Sequence, residues 1–214
     1  MMDAKKKISI KVCGMRDHNN IAQVASLSPD YLGFIFYPHS PRFAGWDFRV
    51  PQELPVTLKR VGVFVNESSE EILLRAKAVG FDHVQLHGNE PVSQCVELKE
   101  AGLKVIKVFS VGEDFDFNIT KEYKSVVDFF LFDTKGKYYG GNAKTFDWNI
   151  LTQYDQEVPF FLSGGLSPEN IEAVGKLSNM NVHALDLNSG VEVSPGLKDA
   201  AKIETILKAV QTLG

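Results

Sequence analysis

Cysteine is nearly absent from this sequence: Cys13 and Cys95 are the only two. Two thiols without C-x-x-C or Cys/His spacing exclude a disulfide framework and a cysteine-built zinc site. Long hydrophobic runs are missing as well. No apolar stretch approaches the roughly 18 residues of a transmembrane helix, and residues 1–7 are not followed by an apolar run of secretory-signal length. Neither sign of charge dominates, since 23 Lys plus Arg stand against 27 Asp plus Glu, for a formal charge of -4. The only basic block is Lys5-Lys6-Lys7, so a nucleic-acid-coating role is disfavoured. These absences predict a cytoplasmic protein with neither a membrane nor a nucleic-acid partner.

What is present is an ordinary globular mixture of 44% hydrophobic and 23% charged residues over a chain of 214, which excludes a mostly disordered chain. Eight β-rich apolar runs stand out: Ile8 to Cys13, Tyr31 to Phe36, Arg60 to Val65, His83 to His87, Lys104 to Phe109, Phe129 to Asp133, Phe160 to Ser163 and Ala184 to Leu187. Several are apolar at successive positions, as in Phe129-Phe130-Leu131-Phe132, the pattern of strands covered on both faces in a parallel sheet. Between them, Asn20 to Leu27, Glu70 to Val79, Val92 to Ala101, Pro168 to Leu177 and Lys202 to Leu213 carry apolar residues at helical spacing. Ser69 and Ser167-Pro168 read as helix starts, and Gly80 and Gly102 as stops. The second unit is weak, because Pro51 and Pro55 allow only a short or irregular helix there.

Eight strand-helix units in a chain of this length match a small α/β (β/α)8 TIM barrel, one domain over residues 1–214. The rival is an open doubly wound sheet. Against it, no G-x-G-x-x-G follows the first strand, and glycine-bearing loops recur at several strand ends.

In a (β/α)8 barrel the active site is expected where the strands end. Polar residues there are few. Cys13 ends the first run, Arg42 follows the second, Gln85 and His87 lie in the fourth, Asp133 ends the sixth and Asp186 lies in the eighth. A carboxylate directly after four apolar residues, as at Asp133, is costly to desolvate without partners, which marks a candidate acid or base. Cys13 becomes a thiolate only where its surroundings are electropositive; otherwise it is a small buried hydrophobe. Gln85 and His87 alternate at period two, so both can face the interior, where they can catalyse or simply bond one another. The last two strand-end loops contain Gly164-Gly165 and Ser189-Gly190, the usual phosphate site of this fold. A phosphorylated small molecule is therefore expected as the ligand. His18, His39 and His183 have no metal-ligand spacing, so no metal is expected, and Cys95 reads as a core thiol.

At these residues the chain resembles the phosphoribosylanthranilate isomerases of tryptophan biosynthesis. The matching segments are Lys11-Val-Cys-Gly-Met15, Gly33-Phe-Ile-Phe-Tyr-Pro-His-Ser-Pro-Arg42, Val84-Gln-Leu-His-Gly88, Phe132-Asp-Thr134, Gly140-Gly-Asn-Ala-Lys-Thr-Phe-Asp-Trp148, Leu162-Ser-Gly-Gly-Leu166 and Asp186-Leu-Asn-Ser-Gly-Val-Glu192. They keep the family's order and span nearly the whole chain. One departure lies in the loop after the sixth strand, where Asn142-Ala143 stands in place of a Thr/Ser-Gly pair and restricts the backbone.

The resemblance implies an Amadori rearrangement that needs no cofactor, with Cys13 and Asp133 as the acid-base pair. It implies that Arg42 holds the anthranilate carboxylate, that Asp186 meets the substrate, and that Gly141, Gly164, Gly165, Ser189 and Gly190 help bind it. The expected assembly is a monomer or a homodimer. A related isomerase of histidine synthesis has an aspartate where Cys13 stands, and indole-glycerol-phosphate synthase needs a lysine acid that has no match here. A non-catalytic phosphate-binding barrel would need neither Cys13 nor Asp133.

Overall fold

The computed structural model describes residues 7–51, 53–134 and 147–213. Eight parallel strands close into a barrel in sequence order: β1 (Ser9–Val12), β2 (Tyr31–Ile35), β3 (Lys59–Phe64), β4 (His83–Leu86), β5 (Lys104–Val111), β6 (Phe129–Thr134), β7 (Phe160–Leu162) and β8 (Val182–Leu187). Closure comes from β1 against β8, with Lys11 opposite Asp186. A short antiparallel hairpin, β9 (Glu192–Ser194) with β10 (Leu197–Lys198), follows β8. The expected barrel is therefore the fold, and the open sheet is excluded.

The outer layer is less regular than the sequence predicts. Helices α1 (His18–Ser26), α2 (Ser69–Val79), α3 (Val92–Glu100) and α4 (Ala200–Leu213) lie where the apolar spacing places them. The cap of α2 is Ser68, one residue before the expected Ser69: its hydroxyl accepts from the Glu71 N–H at 3.2 Å. Gly80 ends the same helix in the left-handed conformation, φ 78°, which glycine adopts without steric cost.

The expected helix over Pro168 to Leu177 is instead a turn followed by a 3-10 segment, Ile171–Leu177. The reason lies in Asn170, whose carbonyl oxygen accepts from Ser167 N–H and whose amide donates to the Gly165 carbonyl. Such side-chain bonds to nearby backbone compete with a regular first helical turn. Short 3-10 segments also fill the outer layer at Phe117–Tyr123 and Trp148–Gln153. Between β2 and β3 the described residues contain no helix, as Pro51 and Pro55 predict.

Two apolar layers follow from the period of two along each strand. Ile10, Val12, Phe130, Phe132, Leu185 and Leu187 point outward into the large core between strands and helices. Cys13, Tyr31, Val61, Val63, Ile106, Val108, Leu131, Phe161 and Ala184 fill the barrel interior. The same parity turns Lys11, Gln85, Asp133 and Asp186 inward, and all four are buried. Charge inside the barrel is thus a consequence of strand register and is concentrated toward the ends where the strands stop.

Candidate active site

A pocket opens at the C-terminal mouth of the barrel. Cys13, Arg42, Gln85, His87, Asp133, Asp186, Gly164, Gly165, Ser189 and Gly190 all line it, with Tyr37, Ser40, Ser163 and Asn188. Ten sequence-selected residues from seven segments of chain are therefore brought together. Gly141 lies outside the described residues.

Asp133 is buried at the end of β6. Its Oδ1 accepts the Thr134 N–H at 2.9 Å, and its Oδ2 lies 3.5 Å from His87 Nε2. His87 in turn meets Gln85 through Nδ1, 3.2 Å from the Gln85 amide nitrogen. Gln85 on β4 and His87 just after it, which the sequence leaves open, thus join in a line that reaches from the barrel interior to Asp133.

Cys13 is anchored by its backbone N–H, which donates to Leu187 O at 2.8 Å, so its side chain is fixed at the seam between β1 and β8. Two residues earlier on the same face, Lys11 is fully buried. Its ammonium donates to Gln85 Oε1 at 2.6 Å and to Asp186 Oδ1 at 2.9 Å, and its stem lies beside the Cys13 side chain, both packed against Gly33. Burial pushes the Cys13 thiol above its ordinary value; Lys11 and Lys198 oppose that rise and Asp186 adds to it. For Lys11, burial favours losing the proton, but Asp186 and Cys13 outweigh it and hold the ammonium above its ordinary value. Burial likewise raises Asp186, against the pull of Lys11.

Sequence reasoning did not single out Lys11, although a signal was available. A lysine amid the apolar β1 residues Ile8 to Cys13, two positions from Cys13, must share the inward face.

Arg42 is buried at the rim and does not project freely. Its Nε and Nη2 donate to the two oxygens of Glu192, at 2.9 and 2.7 Å, the parallel geometry in which guanidinium-carboxylate pairs are strongest. Lys198 completes the cluster, donating to Glu192 Oε1 at 2.6 Å and to Asn188 Oδ1 at 2.8 Å. Burial alone would raise the Glu192 carboxyl; Arg42 and Lys198 outweigh it and hold the group ionised. Burial lowers Lys198, with Glu192 opposing. Neither Glu192 nor Lys198 was selected as a functional residue from sequence, because the Arg42 that Glu192 holds lies some 150 residues away.

The glycine loops interlock. At Gly164, φ 94°, an added Cβ would stand 2.0 Å from Thr134 Oγ1, and at Gly190 it would stand 2.0 Å from the Leu166 carbonyl oxygen. Side chains are excluded at both positions, which keeps the loop backbones exposed to the pocket. Among the described residues no group of His, Cys, Asp and Glu has the arrangement of a metal site.

The chain is similar to known proteins over nearly its whole length. The family model for N-(5'-phosphoribosyl)anthranilate isomerase matches residues 10–209. The N-(5'-phosphoribosyl)anthranilate isomerase of Phocaeicola vulgatus is 46% identical over 202 residues, covering 94% of this chain and 97% of that protein. The crystal structure of phosphoribosylanthranilate isomerase from Thermotoga maritima superposes with a TM-score of 0.83 at 34% identity, covering 96% of this chain and 99% of the other. A second isomerase structure, in complex with reduced 1-(o-carboxyphenylamino)-1-deoxyribulose 5-phosphate, has a TM-score of 0.80 at 33% identity, with the same coverage. This chain belongs to the phosphoribosylanthranilate isomerase family.

Proposed function

We propose that this chain, acting as one catalytic domain, converts N-(5'-phosphoribosyl)anthranilate to 1-(2-carboxyphenylamino)-1-deoxyribulose 5-phosphate, with Asp133 as general acid and Cys13 as general base. The observation that carries this reading is that Cys13 and Asp133 line one pocket together with Arg42 and the two glycine loops. An Amadori rearrangement asks for one group that gives a proton and one that takes it. Asp133 protonates the furanose ring oxygen, which opens the ring to an iminium. Cys13 removes the proton from C2, and the resulting enolamine tautomerises to the ketone. One proton is given and one is taken, so the substrate's composition is unchanged and neither redox equivalents nor a metal enter the balance.

The remaining roles follow from charge and shape. Loop backbone around Gly164, Gly165, Ser189 and Gly190 suits a phosphate dianion, which backbone N–H groups bind well in such concavities. Gly141 belongs to the same substrate-binding set. Arg42, with the Nη1 edge left by its pairing to Glu192, receives the anthranilate carboxylate. Asp186 lines the floor under the ribose. A cytoplasmic location agrees with the absence, among the described residues, of any helix long and apolar enough to cross a membrane. The protein assembles as a monomer or a homodimer, which sedimentation equilibrium resolves.

The test is to add the protein to freshly made phosphoribosylanthranilate and follow the anthranilate-type fluorescence. A protein-dependent change that saturates with substrate and is inhibited competitively by sulfate supports the assignment. An unchanged signal with folded protein ends it.

A further inference from the structure

Lys11 has no part in the two proton transfers, yet its charged side chain is fully buried at the site. Its position is tightly specified. An added Cβ at Gly33 would meet Cys13 Sγ at 2.8 Å and Lys11 Cε at 3.2 Å, so the β2 backbone at Gly33 presses both side chains together. Lys11 then has three polar neighbours, Gln85, Asp186 and Cys13, and an ammonium has three donors. Two of those neighbours can be anions. One ammonium between two buried acidic groups can balance only one negative charge, because an uncompensated buried charge is costly.

We propose that Lys11 and Asp186 are positioning residues that set the charge on Cys13: Lys11 as the counter-ion of its thiolate, and Asp186 as the competing anion that limits it. This rests on the reading of Cys13 as the base. With Cys13 a thiol, Lys11 and Asp186 neutralise one another and the floor of the pocket carries no net charge. Deprotonating Cys13 adds one negative charge, which Lys11 must then share between two anions. Other charges face Cys13 from the surrounding elements. Lys198 on β10 favours the thiolate, while Arg42 and Glu192 next to Lys198 largely balance each other. Across the pocket stand Asp133 on β6 and His87 after β4.

This arrangement predicts opposite signs for two substitutions. Lys11→Met removes the counter-ion and should raise the pH at which Cys13 ionises. Asp186→Asn removes the competing anion and should lower it. A pair that merely holds β1 to β8 predicts lost stability in both variants and no opposed movement. The measurement is the ultraviolet absorbance of the thiolate against pH, read as each protein minus its Cys13→Ser counterpart, in a Cys95→Ala background. Circular dichroism confirms that each variant is folded. The expected result is a midpoint moved by about one pH unit or more in each direction, about tenfold in thiolate population below the midpoint. Midpoints that stay put, or move the same way, overturn the proposal. If Lys11→Met does not fold, Asp186→Asn decides alone, and an unchanged or raised midpoint overturns it. The titration needs no substrate, so it can fail while the isomerase assay succeeds, and the reverse.

Discussion

Two buried lysine-carboxylate pairs, each beside one of the two cysteines, make this barrel its own control. Lys11 and Asp186 meet at 2.9 Å inside the barrel next to Cys13, and Lys107 and Glu90 meet at 2.8 Å in the outer layer near Cys95. All four charged side chains are almost fully buried. What differs is who else satisfies them. Glu90 accepts backbone N–H bonds from Asn66 and Gly88, and Lys107 donates to the carbonyls of Leu86 and Gly88. Those partners are backbone and cannot change charge. The partners of Lys11 are side chains alone, and Cys13 among them can ionise. A buried pair saturated by backbone locks the fold, whereas one shared with an ionisable side chain leaves a charge for chemistry to use.

The comparison breaks most visibly at Cys13 and at Asp133 across the pocket from it. Cys13→Ser should leave the barrel folded and lower kcat by about 10,000-fold, the upper end for a positioned base, because a serine hydroxyl barely ionises near neutral pH. Native turnover in the folded variant would remove Cys13 from the mechanism. Asp133→Asn keeps the shape but cannot deliver a proton, and kcat should fall by about 100-fold or more with a near-native circular dichroism spectrum. Full activity there would eliminate Asp133 as the acid.

The outer pair should behave in the opposite way. Lys107→Met leaves Glu90 as an uncompensated buried carboxylate and should cost about 3–5 kcal/mol in urea denaturation, while kcat of the folded protein stays near wild type. A stable but inactive Lys107→Met protein would contradict the division between the two pairs.

The smallest effect is a slope with pH. Burial pushes the Cys95 thiol up to about 11 from its ordinary 9.0, with Lys107 opposing. The folded state therefore holds this proton more tightly than the unfolded chain. Its stabilising contribution is complete below the unfolded value and is lost as pH rises through about 11. Denaturation curves over that window should show wild type losing stability more steeply than Cys95→Ala, and parallel losses would mean that Cys95 contributes no such linkage.

Much of this is legible in the sequence. Apolar runs covered on both faces specify buried parallel strands, and eight of them at this spacing specify a closed barrel, because hydrophobic period and strand length are local properties of the chain. Cys13, Asp133, Arg42 and the two glycine-bearing loops could be chosen because polar or flexible residues that end apolar runs fall at the barrel mouth. The helix expected over Pro168 to Leu177 was not so determined. Its periodicity and proline are helical, and only the bonds of Asn170 to Ser167 and Gly165 turn it into a 3-10 segment.

Sequence by itself determined the fold, the family and which residues reach the mouth, since these depend on pattern and order along the chain. Tertiary structure alone decided what each of those residues touches. That Glu192 grips Arg42 through two bonds, and that Lys11 stands between Asp186 and Cys13, depends on closing β8 against β1. Barrel closure sets charges together that are some 150 to 175 residues apart, and at such separations no local period or spacing records which pairs will meet.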